Sequence, residues 1–217
     1  PATRHGRGMR NPRPSAIAAV AALCGLLLTA CATSAAPGTA GAPALPDVVS
    51  GLPDGEVLAQ GTVMDAGGEL ELCLGAIMES YPPQCHGIPL VGWSWGGVEG
   101  SEQEGDIRWG AYAVQGTYDG TSFTVTQPPI MLALFDPAMR DDPTGGVPGP
   151  ADEATLTATQ DDLNTQLGDR VLSSWPQDGR VWVQVVWDDG MLQDAADARY
   201  GDDVVLVQSA LQLVSAP

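Results

Sequence analysis

The sequence predicts an α+β fold in two parts, and three observations along the chain support that division. In residues 54–135, apolar and polar residues alternate over short segments, which is the pattern of half-buried strands. Residues 136–150 contain four prolines and three glycines, a composition typical of a linker. In residues 151–217 the leucine spacing becomes helical before valine-rich segments return.

The first part is predicted to be all-β. The dipeptide Asp119-Gly120 lies between the predicted strands 109–118 and 122–126 and is a strong signal for a hairpin turn. A meander with one long loop suits a small barrel of the OB-like kind. The predicted strands are residues 56–64, 69–74, 109–118, 122–126 and 130–135.

The second part is predicted to fold compactly in the order α-β-β-α-β. Leu156, Leu163 and Leu167 share one helical face, and Gly168 is a stop signal. The second strand, second helix and third strand form a unit whose two strands should be parallel. The predicted elements are helices 152–167 and 191–200 and strands 172–175, 180–187 and 203–208.

Residues 1–30 are predicted to be an export signal. Two arginines after Met9 precede an apolar run over residues 16–30, which is shorter than the roughly 20 residues that span a bilayer. A basic start followed by a short apolar run is typical of signal peptides. Met9 is the expected start of translation, so residues 1–8 are expected to lie upstream of the translated protein.

The end of the apolar run carries a motif for lipid attachment. Residues 28–31, Leu-Thr-Ala-Cys, resemble the lipobox of bacterial lipoproteins. The resemblance implies cleavage before Cys31 and a diacylglycerol on its thiol, and two acyl chains hold a protein stably on the outer face of a membrane. An uncleaved anchor and an ordinary secretory signal are the alternatives. Residues 31–53, rich in Ala, Pro and Gly, are predicted to be a flexible tether.

The distribution of charge excludes nucleic acid as a partner. All 27 acidic residues follow Cys31 but only five of the nine basic residues do, which gives that part a formal net charge of −22. The chain contains no lysine. Because nucleic-acid binding depends on basic side chains that neutralise phosphates, such a surface repels DNA and RNA.

Cys73 and Cys85 are predicted to form a disulfide. They are the only cysteines after Cys31, and an even pair in an exported protein indicates a disulfide. A metal site built on Cys73, Cys85 and His86 is the alternative, but it lacks a clear fourth ligand for zinc. We expect no other metal and no cofactor.

The segment Gly92-Trp93-Ser94-Trp95-Gly96 matches the G-x-S-x-G pattern of serine hydrolases. That pattern requires a helix after the serine and a histidine downstream, whereas a glycine-rich stretch follows Ser94 and no histidine does. Because a serine hydroxyl without a base is a poor nucleophile, we interpret the segment as a loop that packs two tryptophans.

Tryptophans supply the candidate ligand or partner surface. Three of them, Trp93, Trp95 and Trp109, lie near the carboxylates between Glu99 and Asp106, and paired carboxylates are what glycosidases use. That acidic stretch is interrupted by glycines, which is typical of a solvated loop. On its predicted strand, Trp182 faces away from the valines on either side.

Three further stretches bear on function through a resemblance. Residues 72–75 (LCLG), 82–85 (PPQC) and 116–120 (GTYDG) resemble a recurrent pattern in uncharacterised exported lipoproteins of actinobacteria. The resemblance implies export and no particular activity. The lipid anchor, the long tether, the tryptophans and the missing catalytic residues lead us to expect a lipid-anchored, non-catalytic protein that binds an envelope protein or glycan. The alternative is a small envelope hydrolase that uses Ser94 or the carboxylates from Glu99 to Asp106.

The lipid anchor is tested at Cys31. Cys31→Ala removes the thiol that carries the lipid, so the protein should be released into the medium or accumulate unprocessed. Fractionation of cells, with the mass of the product measured, distinguishes these results from wild type. Unchanged mass and unchanged membrane attachment would show that no lipid is held at this position.

Overall fold

The computed structural model describes residues 44–137 and 142–214, and they belong to one compact unit. The export signal, Cys31 and most of the predicted tether lie outside the described residues. The strands are β1 (Val57–Ala66), β2 (Glu69–Cys73), β3 (Ile88–Val91), β4 (Glu102–Glu104), β5 (Ile107–Tyr118), β6 (Phe123–Val125), β7 (Ile130–Met131), β8 (Ser173–Gln177), β9 (Arg180–Val185), β10 (Val205–Ser209) and β11 (Gln212–Leu213). The helices are α1 (Glu153–Leu167) and α2 (Met191–Tyr200), with 3-10 turns at Leu45–Asp47, Leu132–Leu134 and Gly168–Arg170.

Five strands close into a barrel, so the predicted α+β class is confirmed, with a barrel in its first part. The order around the barrel is β1-β2-β3-β6-β5, and β5 returns to β1. The β3–β6 pair is parallel, whereas the other four pairs are antiparallel. Closure depends on the β1–β5 pair, which runs from Val57 opposite Gly116 to Ala66 opposite Ile107.

Glycine at two positions lets the barrel strands pass close together. A Cβ at Gly61 would collide with the carbonyl oxygen of Cys73 on β2. A Cβ at Gly116 would collide with the carbonyl oxygen of Thr124 on β6. Because both obstacles are backbone atoms, no change of rotamer relieves the collision, and these approaches require glycine.

Alternation along the strands fills the barrel with apolar side chains. Val57, Ala59 and Val63 of β1 are fully buried, and so are Val114 of β5 and Phe123 of β6. These side chains repeat with the two-residue period of a strand, so each barrel strand directs one face inward.

The second part consists of the sheet β10-β9-β8 and both helices, in the predicted order α-β-β-α-β. Strands β9 and β10 are parallel, as predicted. Val181, Val183 and Val185 of β9 are buried in one core with Leu163 of α1 and Leu192 of α2. The helices therefore cover the valine face of this sheet, and the even-numbered side chains of β9 point to its other face.

A carboxylate caps the N-terminus of each helix, at a position that the sequence indicates. The side chain of Asp152 accepts a hydrogen bond of 2.8 Å from the backbone N–H of Thr155 at the start of α1. Before α2, the Asp188 carboxylate accepts from the backbone N–H groups of Leu192 and Gln193. These acceptors satisfy N–H groups that have no partner within a helix, which fixes where each helix starts.

The two parts are joined more closely than the sequence predicts. Strand β11 pairs with β1, so the end of the chain adds a strand to the barrel sheet. Leu211, just before β11, is buried in the barrel core. Leu45 and Val48 are buried in the core of the second part, so packed structure begins within the segment 31–53 predicted as a tether. Ala, Pro, Gly, Ser and Thr dominate the composition of this segment, which is why the sequence does not reveal this contact.

Some strand boundaries differ from those predicted. The acidic stretch Glu102–Glu104, predicted as a loop, pairs with β5 as strand β4. The predicted strand 130–135 is reduced to Ile130–Met131, because a 3-10 turn follows at once. Edge strands of two or three residues are too short for alternation to identify.

The predicted disulfide between Cys73 and Cys85 is confirmed, with the two Cα atoms 6.1 Å apart. It closes a loop with a sequence separation of 12 residues, which is expected to stabilise the fold by roughly 2–3 kcal/mol. Tyr81 in this loop contacts Trp109 of β5 edge to face, with ring centroids 5.6 Å apart. The disulfide therefore holds the loop against the outside of the barrel.

A charged cluster connects the two helices. The Asp162 carboxylate on α1 accepts hydrogen bonds from Arg199 and Tyr200 at the end of α2, both at 2.8 Å. The bond from Arg199, followed by that from Tyr200, lowers the pKa of Asp162. Burial, together with the bond to Asp162, raises the pKa of Tyr200 to about 12.

Among the described residues, no helix has the length and apolar character needed to cross a bilayer.

The Asp162 cluster predicts a pH-dependent contribution to stability. Because the folded state lowers the pKa of Asp162, its contribution is present above the ordinary aspartate pKa of about 4 and is lost as the pH falls through the folded value. Asp162→Asn should lower the free energy of unfolding by about 0.2–1 kcal/mol at pH 7, the range of partly exposed ion pairs. Denaturant titrations between pH 7 and pH 2 should show this difference shrinking with acidification. Asp161→Asn, on the same helix, is the matched control, and a difference that stays constant with pH contradicts the argument.

Candidate functional site

The loop after β3 carries the serine that the sequence singles out. Gly92 has a φ of +76°, and the chain then turns Trp93 inward, where it is 9% exposed in the barrel core. Ser94 itself is exposed, and its Oγ accepts a hydrogen bond of 3.2 Å from the backbone N–H of Gly96. A turn, rather than a helix, follows at Gly96 and Gly97. The local geometry therefore differs from the strand–serine–helix arrangement of a nucleophile elbow.

Ser94 lines an open cleft of about 630 Å³ at the end of the barrel. The cleft is also lined by Trp93, Glu99, Tyr112 and residues 125–131. His86, the only histidine among the described residues, lines a different cavity with Gly75 and Asp169. In the part of the chain that the structure describes, Glu99 is thus the only carboxylate in the cleft, and no imidazole accompanies it.

The carboxylates between Glu99 and Asp106 lie on a hairpin and do not converge. Glu102 and Glu104 are exposed on β4, and Asp106 is exposed in the turn to β5. Of this group only Glu99 lines the cleft with Ser94. A glycosidase needs two carboxylates facing each other across the substrate, and the structure does not bring such a pair together here.

The three barrel tryptophans separate into two groups. Trp93, Trp95 and Tyr112 form one aromatic cluster, with the two indoles 5.2 Å apart at 82°. The guanidinium of Arg108 lies 4.4 Å from the ring centre of Trp95. Trp109, although on the same strand as Tyr112, is buried on the outside of the barrel beneath Tyr81. Trp109 is therefore not part of a common platform with Trp93 and Trp95.

The cysteines of the alternative metal site are joined to each other. Because Cys73 and Cys85 form a disulfide, neither sulfur is a free thiolate that would bind zinc. The Glu71 carboxylate lies within 4.8 Å of both sulfurs and accepts a hydrogen bond from the backbone N–H of Gly87. His86 is exposed next to the disulfide. This cluster stabilises the loop and does not present a ligand set.

A second set of aromatic and polar side chains lies on the sheet of the second part. Trp175 of β8 is directly opposite Trp182 of β9, so both side chains point to the face away from the helices. Their rings are nearly parallel, at 5°, with centroids 6.3 Å apart. Two positions nearer the turn, Gln177 is opposite Arg180 on the same face. The sheet thus presents two stacked indoles next to a guanidinium.

The segment from 142 to 149 makes the other wall of a cleft of about 520 Å³ over this face. It is attached to the β8–β9 turn by a hydrogen bond of 2.7 Å from the backbone N–H of Gly149 to the carbonyl of Asp178. A Cβ at Gly179 would lie 2.5 Å from the carbonyl oxygen of Gly149, so glycine permits this close contact. The cleft is lined by Asp142, Pro143, Thr144, Gly146, Val147, Pro148, Trp175, Gln177, Asp178, Arg180, Trp182 and Gln208.

Arg180 is the central polar group of this cleft, which we call the Trp175–Trp182 cleft. It is only 5% exposed, and one terminal nitrogen donates to the carbonyl oxygen of Val147. Its Nε has no hydrogen-bond partner among the described residues, and neither has the buried indole Nε1 of Trp182. A buried donor without a partner costs about 1–3 kcal/mol, so two of them in one cleft require an explanation.

Asp142 supplies negative charge at the edge of the cleft. Hydrogen bonds from Thr144 and Gly146, together with the positive charge of Arg180, hold the pKa of this carboxyl below its ordinary value. Asp142 is therefore ionised at neutral pH. Asp178 and Arg180 also line the cleft, so its charged side chains are two carboxylates and one guanidinium.

The sequence identified Trp182 but not Trp175 or Arg180 as site residues. A four-residue turn over 176–179 would pair Trp175 with Arg180. In the structure Asp178 and Gly179, both with positive φ, form a two-residue turn, and this register pairs Trp175 with Trp182. The Asp-Gly dipeptide is the signal that would have placed the turn correctly.

No protein-family model, curated protein or solved structure matches this chain.

The geometry at Ser94 predicts that this serine is not a nucleophile. Because the described residues around it supply no imidazole, a fluorophosphonate probe should not label the protein at Ser94. Mass spectrometry of the probe-treated protein measures labelling, with Ser94→Ala as the matched control. Labelling that is present in wild type and disappears in Ser94→Ala would establish a reactive serine and favour an envelope esterase.

Proposed function

We propose that this chain is a lipid-anchored protein of the cell envelope that binds another envelope component without transforming it. The sequence from Leu28 to Cys31 supports the anchor, which would place the folded part on the outer face of the membrane. The high negative charge of that part favours a partner other than nucleic acid.

One observation carries the binding function: the Trp175–Trp182 cleft combines an aromatic platform with unpaired buried donors. Ligand sites are typically concave and largely apolar, with a few polar groups that fix the orientation of the ligand. Two indoles supply the apolar surface, and Arg180 with Trp182 supplies donors that have no acceptor among the described residues. A molecule that fills the cleft would gain contact area and would also satisfy these donors.

The barrel supports a related assignment, that of an OB-like module. Counted along the chain, the strands that close the barrel are in the order first, second, third, fifth and fourth, and the third and fifth are parallel. This arrangement is compatible with the five-stranded Greek-key barrel of the OB-fold. The loop with Trp93 lies at one end of it, between β3 and β5. OB-like barrels bind oligonucleotides or oligosaccharides, and the negative charge of this chain favours the second class.

The rival function is that of a small envelope hydrolase. One observation favours it: Ser94 is exposed in an open cleft with Glu99. Acyl transfer would also need a base within hydrogen-bond reach of the Ser94 hydroxyl. Among the described residues, no hydrogen bond joins the Ser94 hydroxyl to Glu99 or to another base, so the binding function accounts for more of the structure.

Binding to the envelope is the test of this proposal. The mature lipoprotein, kept in mild detergent, should sediment saturably with washed envelopes of the bacterium that encodes it. Trp175→Ala removes half of the indole pair and should weaken this binding about tenfold, since aromatic contacts contribute about a kcal/mol or more. Tyr81→Ala removes an aromatic ring that is 70% exposed on the barrel and should leave binding unchanged. If wild type shows no saturable binding, the proposed function is wrong.

A further inference from the structure

The open face of the β8–β9–β10 sheet has a composition that suits an oxygen-rich ring ligand. Besides the two indoles, Gln177 and Gln208 line the cleft, and an amide side chain both donates and accepts hydrogen bonds. Asp142 and Asp178 add acceptors at its edge. Hydroxyl groups also donate and accept, so a molecule with many hydroxyls matches this mixture of partners.

From this match we propose that the Trp175–Trp182 cleft binds an uncharged saccharide of the envelope, an inference that rests on the proposed binding function. The C–H face of a pyranose is apolar and packs on an indole, while its hydroxyl groups point outward to polar side chains. Ring and hydroxyl oxygens of the sugar accept from Arg180 Nε and Trp182 Nε1, the two donors in this cleft that lack partners among the described residues.

Charge selects an uncharged ligand. Two carboxylates and one guanidinium line the cleft, so an anionic sugar would meet more negative than positive charge. The pKa of Asp142 is held low by its hydrogen bonds, so this carboxylate keeps its charge when a ligand approaches at neutral pH.

A proline-rich peptide fits less well than a saccharide. Such peptides dock in aromatic grooves, and their carbonyl groups would accept from Arg180 and Trp182. Proline, however, has no backbone N–H, so the peptide offers few donors to Asp142, Asp178 and the amide oxygens. A sugar supplies both donors and acceptors on one small ring.

The chemical class of the partner is tested with purified cell walls. Delipidated walls of the encoding bacterium are divided, and one half is digested with protease before the mature lipoprotein is added in detergent. Binding should survive digestion and should be inhibited by soluble, neutral saccharides released from the digested walls by mild acid. Loss of binding on digestion, or failure of those saccharides to compete, overturns the saccharide proposal, while binding to intact envelopes still supports the proposed function. Absence of binding to intact envelopes removes both.

The location of the site is tested with a pair of matched substitutions. Trp182→Phe keeps an aromatic ring and removes the unpaired Nε1 donor, so the affinity for walls should fall about threefold to tenfold, the effect of one hydrogen bond. Trp187→Phe removes an indole donor that is bonded to the carbonyl of Gly51, outside the cleft, and should leave the affinity unchanged. Circular dichroism verifies that both variants are folded. Equal affinities for wild type and Trp182→Phe, or an equal loss in both variants, would overturn the assignment to this cleft.

Discussion

The pairing of β1 with β5 closes the barrel, and the position of every other barrel strand depends on it. The two strands are in register from Val57 opposite Gly116 to Ala66 opposite Ile107, and β1 also pairs with β2 while β5 pairs with β6. A strand that bonds on both edges has no free backbone groups to satisfy, so the sheet curls on itself instead of ending in open edges. The tight approaches at Gly61 and Gly116 are the local consequence of that curvature.

The chain segments that follow strands of the second sheet return to the barrel, where they add a strand and part of the apolar core. After β10 the chain enters β11, whose residues pair with β1, and Ala210 and Leu211 pack with the barrel side chains. Val186 and Trp187, which follow β9, also contact that core. The composition of residues 136–150 therefore divides the sequence into two parts. In the structure, the apolar cores of both parts belong to one compact unit.

The two faces of the second sheet differ in burial. One packs against the helices and stabilises the fold, and the other is the candidate binding face. Val181, Val183 and Val185 point to the helices, and the alternation of a strand then forces Arg180 and Trp182 to the opposite side. Apolar burial stabilises one face, whereas the other bears a stacked indole pair and donors that have no partner in the part of the chain that the structure describes. The open face is thus a consequence of the same two-residue period that builds the core.

The sequence by itself determined the elements whose signals are local. Strand alternation identified β1, β2 and β5, leucine spacing identified α1, and the even cysteine count identified the Cys73–Cys85 disulfide. Barrel closure, the β11–β1 pair and the burial of Leu45 were decided only by tertiary structure, because each joins residues far apart in the chain without any periodic pattern. The Trp175–Trp182 pair lies between these two cases. Its residues are close in sequence, but shortening the turn from residues 176–179 to residues 178–179 changes which side chains are opposite each other. The burial of Arg180, and its hydrogen bond to the carbonyl of Val147, depend on the segment 142–149 folding over the sheet, which no local pattern encodes.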